Sequence, residues 1–378
     1  MGRGTGFLGA GRGFVREALS FGAQPHYDRA LVARIGLTFN LKPHPADSLD
    51  RPFPLPGSPD PDDRYIEWDD ETTIDAVEAA LARAGEVIRL EADDDLPLRL
   101  RDARPDIVFN IAEGLVGPNR EAHVPALCEF WALPCTGSDS MTLAICLDKG
   151  RTKEILAHHG IPTAPFTVAS SLQELDGFVS WPAMVKPLHE GSSKGITAAS
   201  FCRSREEVGA AIDTVAGRYR QPALVERYLS GREFTCAILG NGDDAKMLPI
   251  VEIDFTALPP GAPPIYSYEA KWVWDTAEKP LDIYRCPAVV DGGLAAAIER
   301  TALAAYRVLR CRDWARIDLR CDEHGAPHVL EINPLPGIHP DPSTNSCLPT
   351  AARAAGLDYA EMILGVLRAA AARHGLVL

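Results

Sequence analysis

Residues 312–337, Arg-Asp-Trp-Ala-Arg-Ile-Asp-Leu-Arg-Cys-Asp-Glu-His-Gly-Ala-Pro-His-Val-Leu-Glu-Ile-Asn-Pro-Leu-Pro-Gly, constrain the chain more than any other stretch. Two alternating runs flank a turn. In the first, Ala315, Ile317 and Leu319 take one face and Arg316, Asp318 and Arg320 the other. In the second, Leu330 and Ile332 point one way, and Glu331 and Asn333 the other. A two-residue turn at His324-Gly325 closes the runs into a hairpin. That register sets Asp318 opposite Glu331 and Arg316 opposite Asn333.

Like charges facing each other across strands destabilise a sheet. Two carboxylates and an amide on one patch therefore call for a neutralising partner. Their oxygens suit a hard cation, Mg²⁺ above all, which keeps coordination positions for water or phosphate. The plain alternative is a hairpin with a solvated polar face, and the rest of the chain has to decide between them.

With 378 residues and 46% apolar content, the chain is long enough for two or three domains with packed cores. A net charge of -14 argues against nucleic acid or an anionic membrane as partner. It leaves room for a small anion held in a local Lys/Arg pocket. The nine cysteines are scattered singly and form no C-x-x-C pair, which fits buried thiols in a reducing cytoplasm rather than zinc or disulfides. No apolar stretch is long enough to span a bilayer. The Gly-rich leader, residues 1–30, reads as a flexible extension.

Order begins at residue 31. Strand-like runs at 31–39, 87–90 and 106–111 alternate with helical periodicity, including 72–84. That is a parallel α/β pattern, and ligands bind beyond the carboxyl ends of such strands. The segment from Ala112 to Asn119, with Glu113, is placed there, and Asn119 caps the next helix. Residues 40–70 read as a Pro- and Asp-rich loop. Helices follow at 140–147 and 149–159. The Gly/Ser-rich loop from Lys186 to Gly195 follows a strand and offers N–H groups and hydroxyls to phosphate, without Walker A spacing. Residues 223–228 and 233–239 read as antiparallel strands joined at Ser230-Gly231, and 247–255 as another strand. Residues 256–282, with an aromatic centre and Lys271, read as a lid. A helix at 295–309 precedes the hairpin, and two Ala-rich helices finish the chain.

These residues resemble the ATP-grasp superfamily, and within it the D-alanine–D-alanine ligase family, from about Ile35 to the C-terminus. The matching motifs occur in the family's order: Asp148-Lys149, Val185-Lys186-Pro187 with Glu190-Gly191-Ser192-Ser193, the run from Val225 to Phe234, Tyr268 to Lys271, Ala315 to Asp318, and Glu331-Ile332-Asn333-Pro334. The resemblance implies an α/β fold, with a Rossmann-like parallel-sheet domain (31–139) and two α+β ATP-grasp subdomains (140–229 and 230–378) clamping ATP. It implies ATP and two Mg²⁺, with Mn²⁺ as a substitute, on Asp318, Glu331 and Asn333. Lys149, Lys186, Ser192 and Ser193 would meet the phosphates. Glu226 and the backbone of Arg227 and Leu229 would read adenine, and Glu233 the ribose. Arg316, Lys271 and Ser192 form the implied catalytic set. The implied reaction joins a small carboxylate to an amine through an acyl phosphate. The family is commonly homodimeric.

Both substrate ends depart from the family. The Gly-Gly-x-Ser-x-Glu strand end is replaced by Gly36-Leu37-Thr38-Phe39-Asn40, with no matching glutamate, and Glu113 stands where the family has histidine. Trp272 replaces the lid's tyrosine, and the loop from Gly337 to Ser346 is longer. Glu113, Arg316, Gly337 and Ser346 are therefore the expected substrate residues. The expected substrates differ from two D-alanines, as in natural-product assembly. A genuine D-alanine–D-alanine ligase and a non-catalytic ATP-binding regulator are the competing readings.

Overall fold

The computed structural model describes Met1, residues 32–43, 63–175, Gly177, Phe178, 180–275, Lys279 and 281–378. The chain divides into two compact units, Met1–Val32 and Ala33–Leu378, and the second holds every sheet and helix among the described residues. The expected N-terminal extension and most of the 40–70 loop lie outside the described residues.

Three sheets carry the fold. The first is parallel: β1 (Ala33–Phe39) lies between β2 (Gly85–Glu91) and β3 (Ile107–Asn110). Helix α1 (Glu71–Leu81) crosses from β1 to β2 and α2 (Leu96–Ala103) from β2 to β3. Asp70 caps α1 by accepting from the Thr73 N–H at 2.8 Å, and Ile74, Val77 and Leu81 turn inward. The expected Asn119 cap is not made. A 3₁₀ turn, Arg120–Ala122, intervenes, and α3 (His123–Phe130) starts later, because Arg120 is drawn inward to buried carboxylates. Asp139 and Asp148 cap α4 (Ser140–Leu147) and α5 (Lys149–His158) through their side chains.

The second sheet is antiparallel, in the order β4 (Phe166–Ala169), β7 (Ala223–Arg227), β5 (Ala183–Pro187), β6 (Phe201–Cys202), with α6 (Arg205–Tyr219) against it. The third runs β11 (Tyr284–Arg285), β10 (Val251–Ile253), β8 (Glu233–Leu239), β12 (Trp314–Cys321), β13 (Pro327–Asn333), with β9 (Lys246–Met247) on β8. Strands β7 and β8 are therefore not the hairpin that the sequence suggests. Gly231 instead carries the chain from one sheet to the other, donating its N–H to Cys321 O at 2.9 Å. A Cβ at Gly231 would lie 2.6 Å from that same oxygen. The expected strand 247–255 is broken in two around Pro249.

Helix α7 (Gly292–Val308) backs the third sheet. Helices α8 (Cys347–Ala354) and α9 (Tyr359–His374) return to the first, where Met362, Ile363, Val366 and Leu367 join Ile35, Leu37 and Phe109 in one core. Among the described residues no helix is long and apolar enough to cross a membrane.

Candidate active site

The hairpin of β12 and β13 pairs Asp318 with Glu331 and Arg316 with Asn333, the expected register. It arrives there by a different route. The turn is three residues long, with Gly325 at φ 82° and the Asp322 carboxylate accepting from the His324 and Ala326 N–H groups. Leu330 is then an extra residue opposite the Asp318–Leu319 step, which restores the pairing. The bulge also turns Leu330 toward the site beside Glu331, instead of toward the core with Ile332.

Arg316 spans the two carboxylates, with Nη2 2.9 Å from Asp318 Oδ2 and 3.4 Å from Glu331 Oε1. Asn333 Nδ2 lies 3.4 Å from Asp318 and 3.5 Å from Glu331, and Lys149 Nζ 3.9 Å from Glu331. Burial raises the Asp318 carboxyl. Burial would raise Glu331 too, but Lys149 and Arg316 outweigh it and hold that group at about 2. Among the described residues no three His, Cys, Asp or Glu side chains are placed to hold a metal by themselves. Two carboxylates and an amide oxygen nevertheless fit Mg²⁺, which takes few protein ligands and fills its octahedron with phosphate and water. A cation here would turn the Asn333 amide so that its oxygen faces inward.

Next to this patch lies a small pocket lined by Lys186, Ser192, Ser193, Glu226, Arg227, Leu229, Glu233, Lys271, Arg316, Asp318 and Glu331. The sequence points to every one of these. Glu226 is buried between Lys186 Nζ at 2.6 Å and Lys153 Nζ at 2.7 Å. Burial alone would raise its carboxyl, but the two lysines bring it down to about 2. Lys186 thus points at Glu226 in this state, and Lys149 donates to Glu190 O. Sequence reasoning missed Lys153 and Arg320. Arg320 lies across the pocket, 2.9 Å from Glu233 and over the rings of Tyr228 and Phe255 at 4.6 and 4.8 Å.

The lid rests on the Gly/Ser-rich loop. Trp272 Nε1 donates to Ser192 O at 3.0 Å, Ser193 Oγ to Tyr266 O at 2.9 Å, and the Tyr268 N–H to Ile196 O at 2.7 Å. Ser192 and Ser193 both hold positive φ, 51° and 60°, a costly conformation that the lid contacts help to maintain. Burial and the nearby Arg316 push the Lys271 ammonium down to about 8.

A second cavity of about 340 Å³ adjoins the first. Ser192, Tyr266, Lys271, Tyr284 and Arg316 line both. Of the four expected substrate residues, Arg316, Gly337 and Ser346 line this cavity, and Glu113 does not. Glu113 is half-buried behind it, where burial and the carboxylates of Glu121 and Glu67 push its own carboxyl well up. The acidic groups that do face the cavity are Glu67, Asp69, Asp70 and Asp275. Burial and neighbouring Asp70 raise Asp69 to about 7.

Glu67 lines this cavity with its carboxylate buried. It accepts from Arg120 at 2.9 Å, Lys194 at 2.9 Å and the Gly191 N–H at 2.9 Å, so it ties the Gly/Ser-rich loop to the segment preceding α1. Nothing in the local pattern singles it out: it follows a Pro- and Asp-rich stretch with neither period.

Residues 155–368 match the family model described as D-ala D-ala ligase C-terminus. An uncharacterized protein y4sG of Sinorhizobium fredii (strain NBRC 101917 / NGR234) is 35% identical, over 86% of this chain and 92% of its own length. The D-alanine–D-alanine ligase of Bordetella avium (strain 197N) is also 35% identical, over 69% of this chain and 76% of its own. The fold matches the crystal structure of a Bacillus anthracis D-alanine–D-alanine ligase complexed with ATP, with TM-score 0.65 and 22% identity, covering 91% of this chain and 99% of that one. The VanG D-Ala:D-Ser ligase of Enterococcus faecalis matches with TM-score 0.65 and 18% identity, over 90% and 99% of the two chains. The protein belongs to the D-alanine–D-alanine ligase-like family of ATP-grasp enzymes, the ADP-forming ATP-dependent carbon–nitrogen ligases.

Proposed function

We propose that this enzyme joins a small carboxylic acid other than D-alanine to an amine, with ATP bound in the smaller pocket and the reacting groups meeting at the boundary of the two cavities. The observation that carries this reading is the set shared by both: Ser192, Lys271 and Arg316 face the nucleotide side and the substrate side at once.

Glu226 and the backbone of Arg227 and Leu229 bind the adenine edge, and Glu233 the ribose. Lys149, Lys186, Ser192 and Ser193 take the phosphates. Asp318, Glu331 and Asn333 hold Mg²⁺, which neutralises phosphate charge when bound. With the lid down, Tyr266 and Lys271 from the lid and Arg320 from β12 all line the nucleotide pocket, so nucleotide entry would have the lid lift and Arg320 swing aside.

A carboxylate oxygen of the acid attacks the γ-phosphorus, and the bond to ADP breaks. The amine nitrogen then attacks the acyl carbon of the acyl phosphate, phosphate leaves, and the nitrogen gives up a proton. Arg316 stabilises the oxyanion of the tetrahedral intermediate. Lys271 neutralises the transferred phosphoryl group. The closed lid, pinned by Trp272 on Ser192, keeps water from the acyl phosphate.

Substrates other than D-alanine are supported by the cavity wall: the longer 337–346 loop, Trp272 and the carboxylates of Asp69, Asp70 and Asp275 give it a make-up of its own. The test is ADP and phosphate release against a panel of acids and amines, with product masses. Highest activity with D-alanine alone would overturn the substrate assignment.

A further inference from the structure

A third cavity, an open groove of about 550 Å³, lies beyond the wall of the substrate cavity. Tyr284, Ser343, Thr344 and Asn345 line both spaces and form the partition. Asn345 fastens it: Nδ2 donates to Asp275 Oδ2 at 2.5 Å and to Leu281 O at 3.0 Å, which joins the 337–346 loop to the lid. Helix α8 runs past both spaces. Cys347, in its first turn, lines the inner cavity, whereas Thr350, Arg353 and Ala354 line the groove. Cys347 and Arg353 are six residues apart, about 9 Å along the helix axis.

The charge in the groove is specific. Asp282 is already paired with Arg285 at 2.6 Å. Arg353 donates to Thr350 Oγ1 at 3.1 Å and makes no ion pair with any described residue. Its charge helps lower the Asp341 carboxyl without forming an ion pair with it, so the groove presents a guanidinium whose planar fork matches a carboxylate. A ligand that packs against Cys347 in the inner cavity and also reaches Arg353 must cover that separation of about 9 Å, which is two to three residues of extended chain.

We infer that the amine substrate is of di- or tripeptide length and carries a terminal carboxylate that binds Arg353 in the outer groove, with Asn345 as the gate its backbone passes. This rests on the ligase reading above and specifies its second substrate.

The experiment measures ADP release and product mass with three sets of amines: single amino acids, di- and tripeptides with free C-termini, and the same peptides as C-terminal amides. Wild type should prefer the free-acid peptides over their amides by about tenfold in kcat/KM, the worth of one charged contact. R353Q should erase that preference through KM while leaving kcat and the rate with single amino acids unchanged, and R353K should restore part of it. Equal use of acids and amides, or an R353Q enzyme with unaltered preference, overturns the inference while leaving the ligase reading intact. Turnover with single amino acids alone does the same. Absence of ADP release with every amine overturns the ligase reading and this inference with it.

Discussion

Replacing Glu67 with Gln tests whether the buried clasp is a structural tie. The Glu67, Arg120 and Lys194 side chains are 7%, 4% and 1% exposed. Breaking a buried pair by removing one charge costs about 3–5 kcal/mol, because the partners stay buried without compensation. Glutamine keeps the shape and one acceptor oxygen. Glu190 still lies 2.7 Å from Lys194 and 3.4 Å from Arg120, so one carboxylate would serve two cations. The expected loss is at the low end, about 3 kcal/mol by urea unfolding at pH 7. The pH dependence gives a second check. Burial alone would raise the Glu67 carboxyl, but Arg120 and Lys194 hold it well below the usual carboxylate range. A depressed carboxyl contributes stability in full above its unfolded value of about 4.3 and loses it as pH falls toward the folded value. The gap between wild type and E67Q should therefore shrink as pH falls below 4.3. Gly191 also loses part of its anchor, so KM for ATP should rise roughly fivefold. A stability loss below about 1 kcal/mol, the worth of a surface pair, together with an unchanged KM, would refute the reasoning.

Lys153→Met leaves Glu226 with Lys186 alone and should cost about 3 kcal/mol in chemical unfolding, and a loss under about 1 kcal/mol would count against the buried pair. Asp318→Asn and Glu331→Gln should each shift the Mg²⁺ concentration for half-maximal turnover upward by about tenfold or more, read by metal titration. An unshifted titration would remove the hairpin from the metal site. Lys271 is pushed down to about 8 by burial and Arg316, so it is cationic below that pH and neutral above it. In wild type, kcat/KM for ATP should fall above pH 8, and Lys271→Arg should extend the plateau upward; a wild-type profile flat to pH 9.5 would show that its charge is not used.

Amino-acid order alone was enough to put Asp318 and Glu331 on one polar face, to place a Ser-rich loop after β5, and to place helices α1, α4, α5 and α7. These features follow from local signals: alternation of two residues assigns a face, and Asp139 before an apolar run caps a helix within one turn. Alternation misplaces Leu330, since a bulge reverses a face without altering composition. Strand propensity wrongly pairs β7 with β8 as a hairpin, since it does not say which sheet a strand joins. A position just after a parallel strand aims Glu113 at substrate, but residues 67–70 from before α1 line the cavity in its place. The clasp came only from three-dimensional packing. Glu67 lies 53 residues from Arg120 and 127 from Lys194, and opposite charges that distant in sequence leave no periodic trace. They meet where the segment before α1, the 3₁₀ turn after β3 and the loop after β5 come together, and burial then makes the pairing strong.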